Sequence, residues 1–269
     1  TYTDVYRDGT SYKDEYYSGV GLTSDEYTNL KKTMLKSVYQ NGGFYVGKYE
    51  TGIEDTPKTS GSSSTAPTET PVIKPNAYPY NYVTCSQAQT LASNMESGNY
   101  NTSLMFGVQW DLVLKYLETK GTAQADLKTD STSWGNYSNN LWNITNENSK
   151  YAILNTSNYT LGDWTSGAYG IKDSDTSVLL STGASDDFSK QGIYDLAGNV
   201  IEFTLEHANL ISRALVESPC AVRGGYYNGD GSISSSQPFQ LPYDRLQQQH
   251  RLQAFTLLNR STESCTAIY

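Results

Sequence analysis

The chain has 269 residues and a formal net charge of −9 at pH 7, with 37% hydrophobic and 17% charged residues. The length allows one large domain or two small ones, and the acidic balance excludes non-specific attraction to nucleic acid. No apolar run approaches the roughly 18 residues that a membrane-spanning helix needs, so we expect no membrane insertion.

The first predicted elements are a helix and a strand. Thr23 or Ser24 caps a helix whose apolar residues recur every three or four positions, and residues 41–43 (Asn-Gly-Gly) are a helix-stop signal. The next stretch alternates apolar and polar residues, which predicts a strand over 44–51. Residues 52–70 are rich in Ser, Thr, Pro and Gly without periodicity, which predicts an exposed, mobile loop.

Two more helices are predicted in the middle of the chain. A short strand at 82–83 leads to a cap at Thr84 or Ser86 and a helix that ends near Met95. The following segment repeats apolar residues with helical spacing and predicts a helix that ends before Gly121.

Short strands and turns fill the remainder. Residues 122–190 predict turns with short aromatic strands, and glycine-punctuated strands dominate from residue 191 onward. A few helices among many short strands favour an α+β fold with one core. We therefore predict a single domain over residues 1–269.

The three cysteines fit no metal-binding pattern. Cys85, Cys220 and Cys265 are odd in number, so at most one disulfide can form within the chain. Buried free thiols are the simpler prediction, and the cysteines leave the redox compartment open.

The stretch GIYDLAGNVIEFTLE, residues 192–206, suggests a cation site. Asp195 and Glu202 flank a Gly-Asn turn and can offer carboxylate oxygens, while the Gly198 and Val200 carbonyls can complete the ligand set. Calcium accepts such a mixture of oxygens, so a structural Ca²⁺ is one prediction. The alternative, which the spacing alone favours, is a turn that leads into a strand with no ion.

The motifs IYDLAGNVIEF and, further on, VRGGYY resemble the signature of the formylglycine-generating enzymes (sulfatase-modifying factors), a branch of the C-type lectin fold. Upstream, GGFYVGKYETG resembles that family's early strand, YVTCSQAQTLA its first long helix and LMFGVQWDLVLKYLE its second. The motifs occur in order over residues 42–260, although Ile201 and Phe203 stand where the family has Trp. The resemblance implies an α+β, C-type lectin fold with two main helices, short twisted antiparallel sheets and many loops.

The residues that catalytic relatives need are missing. The catalytic members carry two copper-binding cysteines after Arg-Gly-Gly, and this chain has none there, because Cys220 precedes Arg223 and Cys265 lies near the C-terminus. The related sulfoxide synthases bind iron through three histidines, and only His207 and His250 are present. We therefore expect no copper, no iron and no enzymatic activity.

A subset of this family resembles the chain more closely, namely the variable proteins of diversity-generating retroelements. Their ligand-binding face follows Arg-Gly-Gly, which corresponds here to residues 226–256, and Arg223 is then a scaffold residue that pairs within the core. Tyr, Ser, Asn and Gly, which abound in this segment, are typical of antibody contact loops. The predicted contact residues are Tyr226, Tyr227, Asn228, Asp230, Ser232, Ser234, Phe239, Tyr243, Arg245, Gln247 and His250.

This resemblance implies a non-enzymatic binding protein whose ligand is a protein or a cell-surface component. The resemblance also implies a location outside the cell, on its surface or on a phage virion. Because the chain begins neither with Met nor with a signal-like segment, we expect a processed or trimmed protein. Two alternatives remain open. One is a divergent metal-dependent oxidase of the formylglycine-generating type, and the other is an adhesin that binds glycans through calcium.

Overall fold

A computed structural model describes Tyr6 and residues 12–95, 101–208, 220–232, 255–257 and 265–268. Within these residues the helices are α1 Ser24–Asn41, α2 Cys85–Ser93, α3 Gly107–Thr119 and α4 Gln124–Lys128. A few helices set among small antiparallel sheets confirm the α+β class.

The strands are short, and the longest described strand has seven residues. In chain order they are β1 Tyr12–Lys13, β2 Phe44–Gly47, β3 Gly52–Ile53, β4 Tyr78–Pro79, β5 Thr102–Leu104, β6 Trp142–Ile144, β7 Lys150–Asn155, β8 Thr160–Leu161, β9 Thr165–Ser166, β10 Gly170–Lys172, β11 Val178–Leu180, β12 Ser189–Lys190, β13 Ile193–Tyr194, β14 Glu202–Ala208, β15 Cys220–Arg223, β16 Phe255–Leu257 and β17 Cys265–Ile268.

The predicted ends of α1 are confirmed. The Thr23 hydroxyl accepts a hydrogen bond from the Glu26 backbone N–H, and the Glu26 carboxylate accepts one from the Thr23 N–H at 2.7 Å. This reciprocal capping satisfies two backbone donors that the first helical turn leaves open. The helix ends at Gly42, whose φ of 83° suits a residue without Cβ.

Helices α2 and α3 also follow the sequence pattern. Thr84 caps α2 together with Gln87, although the helix ends at Ser93 rather than near Met95. Helix α3 ends before Gly121, as predicted. At its start the Asp14 carboxylate accepts hydrogen bonds from the first two backbone N–H groups, at 2.6 and 2.9 Å. A carboxylate in this position is also favoured by the helix dipole.

Two strand predictions are wrong. The strand predicted over 44–51 stops at Gly47, because the chain bends there and the Lys48 carbonyl accepts a hydrogen bond from the Tyr194 N–H. The strand predicted at 82–83 is absent, because Tyr82 has a φ of 56°, which lies outside the extended region.

The loop predicted over 52–70 begins as strand β3 and continues as irregular, mostly exposed chain. Lys58 pairs with Glu69 at 2.9 Å across it, and the Gln87 amide donates to the Ser62 and Thr65 carbonyls. The loop is therefore tied to the start of α2. Its mobility stays a prediction.

All the strand ladders within the described residues are antiparallel. Strand β14 lies between β1 and β15 in one sheet. The last two strands return to earlier parts of the chain, since β16 pairs with β5 and β17 pairs with β2. The two ends of segment 226–256 therefore join ordered strands, β15 at one end and β16 at the other.

The core consists mainly of two large buried clusters. One buried cluster joins α1 and α2 to the sheet that contains β14 through residues such as Met34, Ala88 and Phe203. A second surrounds α3 and contains Trp110 and Trp134, both fully buried. Burial of such large aromatic side chains contributes much of the stability, roughly 3–5 kcal/mol for each when it is truncated to Ala.

Candidate functional site

The Asp195–Asn199 turn is the first part of the candidate site. Asp195, Gly198 and Asn199 all have positive φ values, of 58°, 71° and 57°. Asp and Asn tolerate this left-handed conformation better than most residues. A Cβ at Gly198 would lie 2.3 Å from the Asn136 carbonyl oxygen, so this position admits only Gly.

Asn199 is fully buried, and its side-chain amide connects the turn to other parts of the chain. Its side-chain Nδ2 donates to the Glu50 carboxylate at 2.9 Å and to the Leu180 carbonyl at 3.2 Å. Its Oδ1 accepts hydrogen bonds from the Asn136 Nδ2 at 3.0 Å and from the Leu180 N–H at 3.1 Å. One amide therefore joins strand β11, the loop at residue 136 and the chain that follows β2.

Three buried carboxyl groups, Glu50, Asp195 and Glu202, lie close enough to influence one another. Burial raises the pKa of Glu202 well above its usual value, and the neighbouring Glu50 and Asp195 raise it further. Burial, followed by the charge of Asp195, also raises the pKa of Glu50. Burial raises the pKa of Asp195 to about 7, against the effect of a hydrogen bond from the Gly183 N–H. Each group therefore favours its neutral form.

The donor chemistry of this cluster fits a hard cation. Among the described residues, no N–H group donates to either Glu202 carboxylate oxygen or to the Glu50 Oε1, and all three atoms are buried. Such oxygens are the ligands that Ca²⁺ prefers, and an unmatched buried carboxylate is costly. However, the part of the chain that the structure describes contains no group of three His, Cys, Asp or Glu side chains arranged to hold a metal ion. Glu50 and Glu202 can instead share a proton.

The predicted ligands occupy different positions around this cluster. The side chains of Asp195 and Glu202 are both buried in this cluster, and Gly198 and Val200 lie in the chain between them. The backbone N–H of Val200 favours the charged form of Glu50 and so acts against the rise in its pKa. The structure thus adds Glu50 to the predicted set, and calcium itself stays a prediction.

The Arg-Gly-Gly corner lies directly against Glu202. A Cβ at Gly224 would lie 1.9 Å from the Glu202 Oε2, and Gly224 has a φ of 93°. The Gly224 carbonyl accepts a hydrogen bond from the Gly198 N–H at 2.8 Å. The glycine is therefore required both by its backbone conformation and by the close approach of the carboxylate.

Arg223 is a scaffold residue, as predicted, and is fully buried. Its guanidinium donates to Glu206 at 2.8 Å and to Asp111 at 3.2 Å. Both acids are also buried, so removal of any member would leave an uncompensated charge in the interior. Two buried ion pairs therefore fix the position of the corner that precedes segment 226–256.

The start of the predicted contact segment is partly buried. Asp230 and Ser232 are exposed, and Tyr226 and Asn228 are half-buried. Tyr227 is only 3% exposed, so its prediction as an exposed contact residue is wrong. Its backbone N–H donates to the Asn199 carbonyl at 2.9 Å and its ring packs into the main core cluster, which explains why it cannot face solvent.

Residues 229–232 are tied to the loop at 131–140. The Gly229 carbonyl accepts hydrogen bonds from the Ser138 N–H and hydroxyl, both at 2.9 Å. The Asn139 amide donates to the Asp230 carboxylate at 2.9 Å and accepts from the Gly231 N–H at 3.1 Å. These bonds hold the backbone at Gly229 and Gly231 and the Asp230 side chain against this loop.

A polar groove of about 410 Å³ borders the same loop. It is lined by Thr132, Ser133, Leu141, Trp142, Asp186 and Lys190, among others. Leu141 is 70% exposed there, beside the exposed Asn139. The exposed Asn139, which hydrogen-bonds to Asp230, therefore places Asp230 beside the exposed part of this loop.

The remaining predicted contact residues lie outside the described residues. They are Ser234, Phe239, Tyr243, Arg245, Gln247 and His250. His207 is the other of the two histidines in the chain. It is partly buried, its ring stacks on Tyr17, and its Nδ1 lies 3.1 Å from the Glu15 Oε1.

Sequence reasoning missed Glu50, Asn136 and Asn199 as members of the buried cluster. Glu50 lies near the end of the strand predicted over 44–51, whose alternation gave no sign that its carboxylate joins a buried acidic cluster. Asn199 was recognised only as part of a turn. The one signal available was the Gly-Asn pair, which indicates a left-handed turn but not the partners of its side chain.

A scan against protein-family models, a search of curated proteins and a search of solved structures found no match to this chain. Among the described residues, no helix is both long and apolar enough to cross a membrane.

Proposed function

We propose that this chain is a non-enzymatic ligand-binding protein of the type made by diversity-generating retroelements, with a C-type lectin fold. Residues 226–256 form its contact segment, and the ligand is a protein or a cell-surface component. The protein then works outside the cell, on a cell surface or on a phage virion.

The observation that carries the proposal is the contrast across the Arg-Gly-Gly corner. Residues 220–225 are buried and Arg223 is ion-paired, whereas Asp230 and Ser232 offer exposed polar side chains, and Asp230 is hydrogen-bonded to Asn139. Binding surfaces are commonly built in this way, as loops on a rigid scaffold. The return of the chain through β16, which pairs with β5, gives the segment a second fixed end.

Two features favour recognition over catalysis. The positions after Arg223 that hold copper-binding cysteines in catalytic relatives are occupied here by Tyr, Asn, Gly, Asp and Ser. The buried acids near the corner are also shielded from any substrate, since Asp195 and Glu202 are 1% and 0% exposed. A cation held by them would stabilise the fold and would not touch a glycan, which argues against the calcium-dependent adhesin.

The decisive experiment is a comparison of sister copies of the gene in closely related strains. We expect substitutions crowded between about residues 226 and 253, with residues 191–225 nearly unchanged. A neighbouring reverse-transcriptase gene with a near-identical repeat of the C-terminal segment would support the same conclusion. Substitutions spread evenly along the chain would contradict it.

The oxidase alternative has its own test. Purified protein is analysed for metals by mass spectrometry after dialysis against buffer without chelator. A transition metal bound at one equivalent would support a divergent oxidase and count against the binding role. Calcium alone would agree with our proposal.

A further inference from the structure

Two of the three cysteines lie against each other in the core, although they are far apart in the sequence. Cys85 is the first residue of α2 and Cys220 is the first residue of β15, and their Sγ atoms are 2.7 Å apart. Both are free thiols and both are buried, at 7% and 3% exposure. A disulfide bond is about 2.05 Å long, so only a small movement separates this pair from a covalent bond.

We propose that Cys85 and Cys220 form a structural disulfide that joins α2 to the strand leading into the Arg-Gly-Gly corner. The oxidant is a disulfide, either a small molecule such as oxidised glutathione or a protein dithiol oxidase. The thiolate of one cysteine attacks it and releases one thiol, and the second cysteine then attacks the mixed disulfide and releases the other. The two protein thiols lose two electrons and two protons, and the external disulfide gains them.

The surroundings determine when this reaction can take place. Tyr17 covers the pair, with its hydroxyl 3.5 Å from the Cys85 Sγ, and the Cys220 thiol contacts the Thr204 carbonyl at 3.2 Å. Burial raises the pKa of the Cys220 thiol, and the neighbouring Cys85 raises it further. Thiol exchange requires a thiolate and access to an external reagent, and the folded core provides neither. The bond therefore forms while the chain folds, and the folded protein then protects it from reduction.

The bond would close a loop of roughly 135 residues, which makes it an effective constraint on the unfolded chain. It would also indicate an oxidising compartment, because such bonds persist outside the cytosol. The inference is independent of the ligand-binding proposal.

The test counts free thiols by mass spectrometry. Full-length protein is refolded in a buffer of reduced and oxidised glutathione and then alkylated in denaturant, with or without prior reduction. We expect one alkyl group without reduction and three after it, and a peptide that links Cys85 to Cys220. Three alkyl groups without reduction, or a bond to Cys265 instead, would overturn the proposal.

Two further measurements test protection and stabilisation. Reductant without denaturant should leave the bond intact for hours, whereas reductant with denaturant should break it completely. Rapid reduction of the folded protein would contradict the buried position of the bond. Protein that is reduced in denaturant and refolded with reductant should melt about 10 °C below the oxidised protein.

Serine variants provide matched controls. Cys85→Ser and Cys220→Ser should each abolish this reduction-dependent shift, and Cys265→Ser should leave it unchanged. A shift that survives in Cys85→Ser would also contradict the proposal.

Discussion

The Asn199 side-chain amide donates a hydrogen bond of 2.9 Å to the Glu50 carboxylate, which comes from a part of the chain 149 positions earlier. This contact connects the Asp195–Asn199 turn to the chain that follows β2. It also brings a third carboxyl group to the two that the sequence had indicated. The stability of this buried cluster, its pH dependence and its response to calcium can each be measured.

Asn199→Ala should lower the free energy of unfolding by about 3–5 kcal/mol. The change removes the hydrogen bonds of a buried amide, leaves their partners unmatched and places Ala at a positive φ. Urea unfolding followed by circular dichroism measures the effect. Asn148→Ala is the matched control, because this Asn is exposed, and it should change stability by less than about 0.5 kcal/mol. If the two variants lowered the free energy of unfolding equally, the side-chain hydrogen bonds of Asn199 would not stabilise the fold as we expect.

Stability should fall as the pH rises from about 4 to about 7 in buffer with chelator. Asp195 binds its proton more tightly in the folded protein, where its pKa is about 7, than in the unfolded chain, where the pKa is about 3.8. Between these values the unfolded chain releases the proton while the folded protein keeps it, which favours unfolding by up to about 4 kcal/mol. Below this range both states are neutral, and above it the loss is complete.

Asp195→Asn should flatten this pH dependence. Asn tolerates the positive φ and its Oδ1 can still accept the hydrogen bond from Gly183, so the fold is preserved. Urea titrations at several pH values provide the measurement. A slope that is unchanged in the variant would assign the pH dependence to Glu50 and Glu202 alone.

Calcium should stabilise the protein at pH 7 if the buried acids form its site. At a concentration 100 times its Kd, binding adds about 2.7 kcal/mol to the free energy of unfolding. Thermal melts with calcium, with magnesium and with chelator measure the shift, and Glu202→Gln should remove it. If calcium has no effect in the wild-type protein, a proton shared by Glu50 and Glu202 accounts for the cluster instead.

Variants of Tyr227 and Asp230 should distinguish a role in stability from a role in ligand binding. Tyr227→Ala removes a buried ring from the main core cluster and should cost about 3–5 kcal/mol of stability. Asp230→Ala changes an exposed residue and should leave the melting temperature nearly unchanged, while it weakens binding about tenfold.

Binding can be measured with fluorescently labelled protein on a panel of intact bacterial strains, from which the wild type identifies a positive strain. Asp163→Ala, a change at an exposed Asp on the loop between β8 and β9, serves as the control and should bind like the wild type. Loss of binding in the control, or full binding by Asp230→Ala, would contradict a contact role for Asp230.

Much of the fold followed from local sequence signals. The caps at Thr23 and Thr84, the stop at Gly42 and the helical spacing before Gly121 depend on neighbours within a few positions, and the structure has each of them. The pairing of Arg223 within the core was predicted from the resemblance of VRGG to a family motif, and the structure has it. The strand predicted over 44–51 was too long, because a bend set by a distant backbone group, Tyr194 N–H, ends it early.

The sequence by itself therefore determined the caps of α1 and α2, the end of α3, the α+β class and the position of the Arg-Gly-Gly corner before residue 226. Only the tertiary structure placed Glu50 beside Glu202, buried Tyr227 in the core and brought Cys85 against Cys220. The physical reason is separation along the chain. Periodicity and capping report contacts between neighbours in sequence, whereas these partnerships join residues up to about 150 positions apart and depend on how the sheets and helices pack.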